Sequence, residues 1–197
     1  TIAKKLAEYF NLSYLDTGIL YRAVALQMLT EGINENDYRS AQKVAQQVSI
    51  ASIDHTGIRT RAVSDLASKI ATISTVRQEL LTRQRRFAQN PDPDKDGAIL
   101  DGRDIGTVVC PNADFKLFIM AELEIRAKRR WKELLQSDPT AIYCEVLEEM
   151  RSRDERDTNR KDAPLVVTSD AMIIDTSNKS IDVSFNEAKN WILSRRF

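Results

Sequence analysis

Gly97-Ala98-Ile99-Leu100-Asp101-Gly102-Arg103-Asp104-Ile105-Gly106-Thr107 joins a short apolar run to a set of charges held between glycines. Residues 98–100 read as a buried strand. The strand therefore ends by presenting Asp101, Arg103 and Asp104. In open parallel sheets the ligand crevice lies at the carboxyl ends of the strands. Arginine there suits a phosphate, because its planar fork donates two parallel hydrogen bonds. A carboxylate beside it only accepts, so it suits an amino or hydroxyl group. A small molecule with an anionic end and a donating end, such as a nucleoside monophosphate, meets both needs. A strand exit carrying a surface ion pair is the competing reading.

Outward from this stretch, strands alternate with helices. Leu12–Leu15 reads as a strand, and Asp16-Thr17-Gly18 as a turn that caps the helix bearing Leu20, Val24 and Leu29. Helices are expected over 38–48, 63–73 and 75–88, with an irregular stretch at 50–60. Asn90-Pro91-Asp92-Pro93-Asp94 breaks the chain. Strands follow at 115–120 and 171–174, and helices at 122–136, 141–156 and from 181 onward. This order predicts an α/β fold with a mainly parallel sheet. Residues 1–37, 89–136 and 165–197 would form its core, 38–88 an insertion and 137–164 a lid.

The chain has 197 residues, of which 42% are apolar, enough for one good core with insertions. Lys+Arg and Asp+Glu both number 29, so the net charge is zero, which argues against a general nucleic-acid or membrane-surface binder. The 18 arginines outnumber the 11 lysines, as bidentate anion recognition would favour. Cys110 and Cys144 lack metal-ligand spacing, are expected in packed positions, and as isolated thiols fit a reducing compartment. No signal peptide and no apolar run near 18 residues are present, so a soluble cytoplasmic protein is expected. His55 receives no role.

Residues 151–160, Arg-Ser-Arg-Asp-Glu-Arg-Asp-Thr-Asn-Arg, are dense in both signs. On a helix Arg153, Asp157 and Arg160 share one face, with Arg156 one turn before Arg160. Such a run is either a solvated helix with internal ion pairs or a mobile arginine flap that closes over phosphates. Breakers at Pro139 and Ala163-Pro164 bound the unit.

Taken together, Leu15-Asp16-Thr17-Gly18 with Tyr21-Arg22, Ile58-Arg59-Thr60, Leu66-Ala67-Ser68 with Val76-Arg77, residues 101–109, and Arg153–Arg160 followed by Ala163-Pro164-Leu165 resemble the bacterial cytidylate kinases. The motifs occur in order over essentially the whole chain. The resemblance implies a P-loop nucleoside monophosphate kinase fold and phosphoryl transfer from ATP, with Mg²⁺, to CMP or dCMP. Carried over, Arg22, Arg103 and Arg160 hold the acceptor phosphate. Ser68, Arg77 and Asp104 read the cytosine, with Asp16, Thr17 and Asp101 lining the same pocket. Arg153 and Asp157 contact the ribose. Arg103, Arg153, Arg156 and Arg160 are the catalytic set, Arg156 lying near the ATP phosphates. Thr1, Arg126 and Arg130 fall on the donor side, although a solvated helix face explains the two arginines as well. No protein group is assigned as a metal ligand or as a dedicated base. A monomer is expected, with nucleotides as its partners and neither nucleic acid nor membrane.

One departure from the family is plain. Thr1 matches the last residue of the Gly-rich Walker A loop, and the loop and its strand are missing. A natural protein longer than this chain is therefore expected. A sheet lacking that central strand would leave a slot lined by unpaired backbone groups, and a chain truly starting at Thr1 would be inactive. Residues 49–57 are also shorter than the family's inserted sheet. The alternatives are a kinase preferring UMP or AMP, a pseudo-kinase, or an RNA-associated module using Arg83–Arg86 and Arg126–Lys132.

Overall fold

The computed structural model describes residues 1–49, 57–136 and 138–195. The elements run α1 (Ile2–Tyr9), β1 (Ser13–Asp16), α2 (Gly18–Thr30), α3 (Tyr38–Gln47), α4 (Arg61–Ile70), α5 (Ser74–Gln89) and β2 (Ala98–Asp101). A π-helical turn (Ile105–Val109) follows, then β3 (Leu117–Met120), α6 (Leu123–Leu134), α7 (Tyr143–Asn159), β4 (Met172–Asp175) and α8 (Ile181–Leu193). His55 and most of the stretches expected at 50–60 and 49–57 lie outside the described residues, as does Ser137 at the expected start of the lid.

The fold is α/β, with parallel strands flanked by helices. β1 pairs with β2 in the register Ser13↔Ala98 to Asp16↔Asp101, and β3 pairs with β4 from Leu117↔Met172 to Met120↔Asp175. The two pairs are separate sheets among the described residues. Between them lies a cavity of about 230 Å³, walled by Ile99, Leu100 and Asp101 on one side and Leu117, Phe118 and Ile119 on the other. Ile119 and Met120 remain exposed, as residues of strands buried on both faces seldom are.

Helix starts follow from their caps. The Asp37 carboxylate accepts the Ser40 N–H (3.0 Å) ahead of α3, the Thr60 hydroxyl accepts the Val63 N–H (3.4 Å) ahead of α4, and the Ser180 hydroxyl accepts the Val183 N–H (3.2 Å) ahead of α8. Val63, Leu66, Ala67 and Ile70 stand at helical spacing and are all buried. They join Leu20, Val24 and Met28 of α2, Ala41 and Val44 of α3, and Val76 and Leu80 of α5 in the largest core. A second core gathers Leu6 and Phe10, Ile174 of β4, and Ala188 and Ile192 of α8. A smaller one joins Leu134, Ala141 and Val146 between α6 and α7.

Several boundaries differ from expectation. α4 starts two residues early, at Arg61, because the cap is Thr60. α7 runs to Asn159 rather than Arg156, since its charged last turn docks on the rest of the protein. β3 begins at Leu117, two residues late. The π-helical turn after Asp104 has no counterpart in the sequence pattern. Cys144 is exposed on α7 rather than packed, while Cys110 is half-buried; both are free thiols. No helix among the described residues is long and apolar enough to cross a membrane.

The first core is what fixes α4. Ile70→Ala should lower the unfolding free energy by about 2–5 kcal/mol in denaturant titration. A loss below about 1 kcal/mol would show that α4 is not packed as described.

Candidate active site

The parallel register sets Asp16 and Asp101 side by side at the carboxyl ends of β1 and β2. The chain then turns into α2 on one side and into Gly102-Arg103-Asp104 on the other. Thr17 is the N-cap of α2, as the expected capping turn has it, although its side chain makes no cap hydrogen bond. Its hydroxyl instead donates to the Asp101 carbonyl (2.9 Å), and the Gly18 N–H donates to Asp16 Oδ1 (3.0 Å). Cross-strand bonding wins because the hydroxyl lies directly over β2. Gly102 sits against that hydroxyl: a Cβ there would collide with Thr17 Oγ1 and lie 2.9 Å from Ile105 Cδ1.

Beyond Asp104 the π-helical turn closes with the Cys110 N–H donating to the Ile105 carbonyl (2.7 Å). The Asp104 carbonyl accepts from Val108 (2.9 Å), which ties its backbone to the turn. Turns of this kind recur at functional sites. The Asp104 side chain is left to face a cavity of about 240 Å³. Asp16, Thr17, Arg22, Ser68, Arg77, Asp101, Arg103, Asp104, Arg153, Asp157 and Arg160 all line it. Residues scattered from β1 to the end of α7 thus converge on one chamber.

One end of the chamber is a hydrogen-bonding trio. Arg77 of α5 donates through Nη2 to Asp104 Oδ2 (2.5 Å) and through Nη1 to the Ala71 carbonyl (3.2 Å). Ser68 of α4 is buried, and its hydroxyl has no hydrogen-bond partner among the described residues. Tyr21 stands behind the trio, bonded to Gln84. Burial pushes the Tyr21 pKa up, against the pull of Arg77 and Arg160. Neither Tyr21 nor Gln84 was given a role by the sequence. Tyr21 could have been suspected as the neighbour of Arg22, whereas Gln84, set among arginines, reads as solvated surface.

The other end is cationic. Asp157, 5% exposed, gathers Arg103 Nε (3.0 Å), Arg153 Nε (3.8 Å) and Arg160 Nη1 (3.9 Å). Arg160 Nε donates to the Ala163 carbonyl (2.6 Å), and Ala163 holds a left-handed φ of 50°. Two buried guanidinium nitrogens, Arg153 Nε and Arg160 Nη2, have no hydrogen-bond partner among the described residues. Desolvation and the neighbouring Arg103 charge lower the Arg153 pKa to about 10, and desolvation and Arg77 lower that of Arg160. Both stay cationic at neutral pH, at an energetic cost that a bound anion would offset. Arg22 makes only a 3.5 Å contact with Asp16, leaving donors free.

A second cavity of about 260 Å³ adjoins the first, sharing Arg22, Arg103 and Arg153 with it. Arg126, Arg130 and Arg156 line this one. Arg126 is bidentate to Asp154 (3.1 and 2.7 Å), Arg130 pairs with Glu133 (3.0 Å), and Arg156 pairs with Asp65 of α4 (3.3 Å). Thr1 lies apart from both cavities, beside Tyr14 near Asp101. Desolvation first, and then the charges of Asp101 and Asp16, raise the Tyr14 pKa to about 12. Desolvation and the Asp16 charge likewise raise that of Asp101, with Arg103 opposing. The Asp65 contact was not foreseen; its only signal was a helical spacing of three from Ser68.

Gly102→Ala tests the geometry of the strand exit. The added methyl should displace Thr17 or Ile105, lower stability by about 1–3 kcal/mol and weaken ligand binding in the chamber. Unchanged thermal melting and unchanged nucleotide affinity would contradict the close approach.

Comparison with known proteins agrees with this architecture. A family model described as cytidylate kinase matches residues 1–192. The cytidylate kinase of Paramagnetospirillum magneticum is 48% identical to this chain over 196 residues, covering 100% of the chain and 92% of that protein. That of Azorhizobium caulinodans is 45% identical, covering 95% of this chain and 89% of its own. That of Mesorhizobium japonicum is 43% identical, covering 94% and 84%. With motifs, fold and family model in agreement over nearly its full length, the chain belongs to the cytidylate kinase family.

Proposed function

We propose that the two adjoining cavities hold the acceptor and donor nucleotides of an ATP-dependent kinase acting on CMP or dCMP. Family membership makes the chain a phosphotransferase of this class. The observation that carries the residue-level reading is the set of buried polar atoms in one chamber that make no hydrogen bond among the described residues: the Ser68 hydroxyl, Arg153 Nε, 3.8 Å from Asp157, and Arg160 Nη2, 3.7 Å from Asp104. Buried polar groups are rarely left unsatisfied. A nucleoside monophosphate supplies both kinds of partner.

The base end favours cytosine. Asp104 accepts from an exocyclic amine, which cytosine has and uracil lacks. Arg77 and Ser68 supply donors beside it. Arg22, Arg103 and Arg160 receive the phosphate, while Arg153 and Asp157 lie toward the ribose. The acceptor phosphate ionises with a second pKa of about 6, so its attacking oxygen already carries charge at neutral pH. No base is needed, and the work is alignment and neutralisation.

On the donor side, Arg156, with Arg126 and Arg130, faces the transferred phosphoryl group. Mg²⁺ would arrive with ATP. Among the described residues no cluster of three or more His, Cys, Asp or Glu side chains is placed to hold a metal. Mg²⁺ needs less: one or two carboxylates suffice beside substrate phosphates and water. Asp101 and Asp16, side by side at the carboxyl ends of β2 and β1, fit that need. When bound, the ion would neutralise charge on the phosphate oxygens.

The test is ADP release by the naturally encoded protein with Mg²⁺-ATP and CMP, dCMP, UMP or AMP offered separately. CMP or dCMP should lead. Asp104→Asn, which adds a donor where the amine must donate, should reduce the preference for CMP over UMP by about tenfold or more. Turnover led by UMP or AMP would keep the fold and overturn the assignment of the base pocket. Equally, an Asp104→Asn enzyme that still prefers CMP would show that another group reads the base.

A further inference from the structure

α4 borders both cavities. Ser68 lines both, and Asp65, one turn earlier, lines the donor-side cavity alone. Asp65 Oδ1 accepts from both terminal nitrogens of Arg156 on α7, each at 3.3 Å. Lys69 fixes the same carboxylate from below at 3.0 Å and is itself anchored by Glu35 (2.9 Å). Burial opposes ionisation of Asp65, yet Lys69 and Arg156 hold its pKa below the usual carboxylate value. Asp65 is therefore a charged, oriented acceptor. Arg126, by contrast, is held by Asp154 of α7 itself, so its placement does not report on α4.

A separate contact joins the same two helices. Arg61, at the start of α4, donates to Glu145 (2.9 Å) and to Glu149 through Nε (2.9 Å) and Nη2. Arg61 lines neither nucleotide cavity. It ties α4 to α7 without touching Arg156. Docking of the helices and orientation of Arg156 are thus carried by different side chains.

We propose that Asp65 is a positioning residue that couples the two nucleotide sites, orienting Arg156 for the donor phosphates according to where acceptor binding sets α4. This rests on the kinase reading above. A base bound at Ser68 restrains α4, α4 carries Asp65, and Asp65 carries the guanidinium. Acceptor occupancy is then felt at the donor site through one helix and one ion pair. By linkage the effect is reciprocal in affinity.

Equilibrium binding of a non-hydrolysable ATP analogue with Mg²⁺, by calorimetry on the naturally encoded protein with and without CMP, tests this. CMP should tighten analogue binding in the wild type by about three- to tenfold, the range of coupling between groups in contact. Asp65→Asn should abolish that enhancement while CMP affinity measured alone changes by less than about twofold. Asp65→Glu should restore part of it. In Arg156→Gln the enhancement should already be absent, so adding Asp65→Asn should change nothing further. The proposal is overturned if the wild type shows no enhancement, if Asp65→Asn retains it, if the two substitutions act independently, or if Arg61→Gln abolishes it equally. The last result would make Asp65 one helix tie among others. CMP turnover in the same wild-type sample reports on the kinase reading itself, independently of coupling.

Discussion

A single buried carboxylate, Asp157, organises the chamber. It sits on the last turn of α7 and gathers arginines from the β2 exit, from one turn earlier on its own helix, and from the residue that ends the helix. Three guanidinium groups packed together would repel one another. One anion among them lowers that repulsion without satisfying every donor. The residue is a site pre-charged for a second anion, with geometry already fixed. Remove the carboxylate and Arg103, Arg153 and Arg160 lose the acid they share, leaving Asp104 as the acid nearest Arg160 (3.7 Å). The backbone repeats the tie, because the Leu165 N–H donates to the Asp157 carbonyl (2.8 Å), bringing the chain after the lid back to the same point.

Much of this was legible in the sequence, for identifiable reasons. Strand β2 was readable because an apolar run ended abruptly in charges. The helix–strand order was readable because the breakers, Asn90 to Asp94 and Pro139, are unambiguous. All the substrate-binding residues expected from the family motifs fall on one cavity, since those motifs sit at strand ends and on facing helices. Legibility failed where tertiary context decides. The π-helical turn is dictated by the packing around Asp104, and no local pattern encodes it. Thr17 takes the cap position its residue type suggests, but its hydroxyl bonds a carbonyl of the neighbouring strand rather than the helix. Gln84 was invisible because it sits among arginines, and charged runs read as solvent-facing; Asp65 was invisible because a lone acid on an amphipathic helix reads as its solvated face.

The two cavities differ in how their charges are held. In the acceptor chamber the acids are buried: Asp104 and Asp157 are nearly inaccessible, and Arg160 keeps only 4% of its side-chain surface, although Arg103 and Arg153 stay partly open. Pairs in that setting are costly to break one partner at a time. On the donor side the pairs are half-exposed, such as Arg126 with Asp154, or Arg156 with Asp65. Exposed pairs contribute about 0–1 kcal/mol each. On the function proposed above, firm holding of the acceptor and easy rearrangement around the donor would follow from the burial of the acids rather than from residue type.

If residues 137–164 act as a lid, as the proposed function requires, this contrast would let that lid both close and reopen. Closure must exclude water, or the transferred group would be lost to hydrolysis. A lid sealed by apolar contacts would release product slowly. Here α7 meets α4 mainly through ion pairs near the surface, each weak and exchangeable with water, while its deep end is fixed by Asp157. Phosphates entering the donor cavity compete for the same arginines that acidic side chains occupy in their absence, so little new charge has to be desolvated on binding. On that reading the lid would be held most firmly with both nucleotides present, because the strongest acceptors for its arginines would be the phosphates themselves, and it would loosen once products carried those acceptors away.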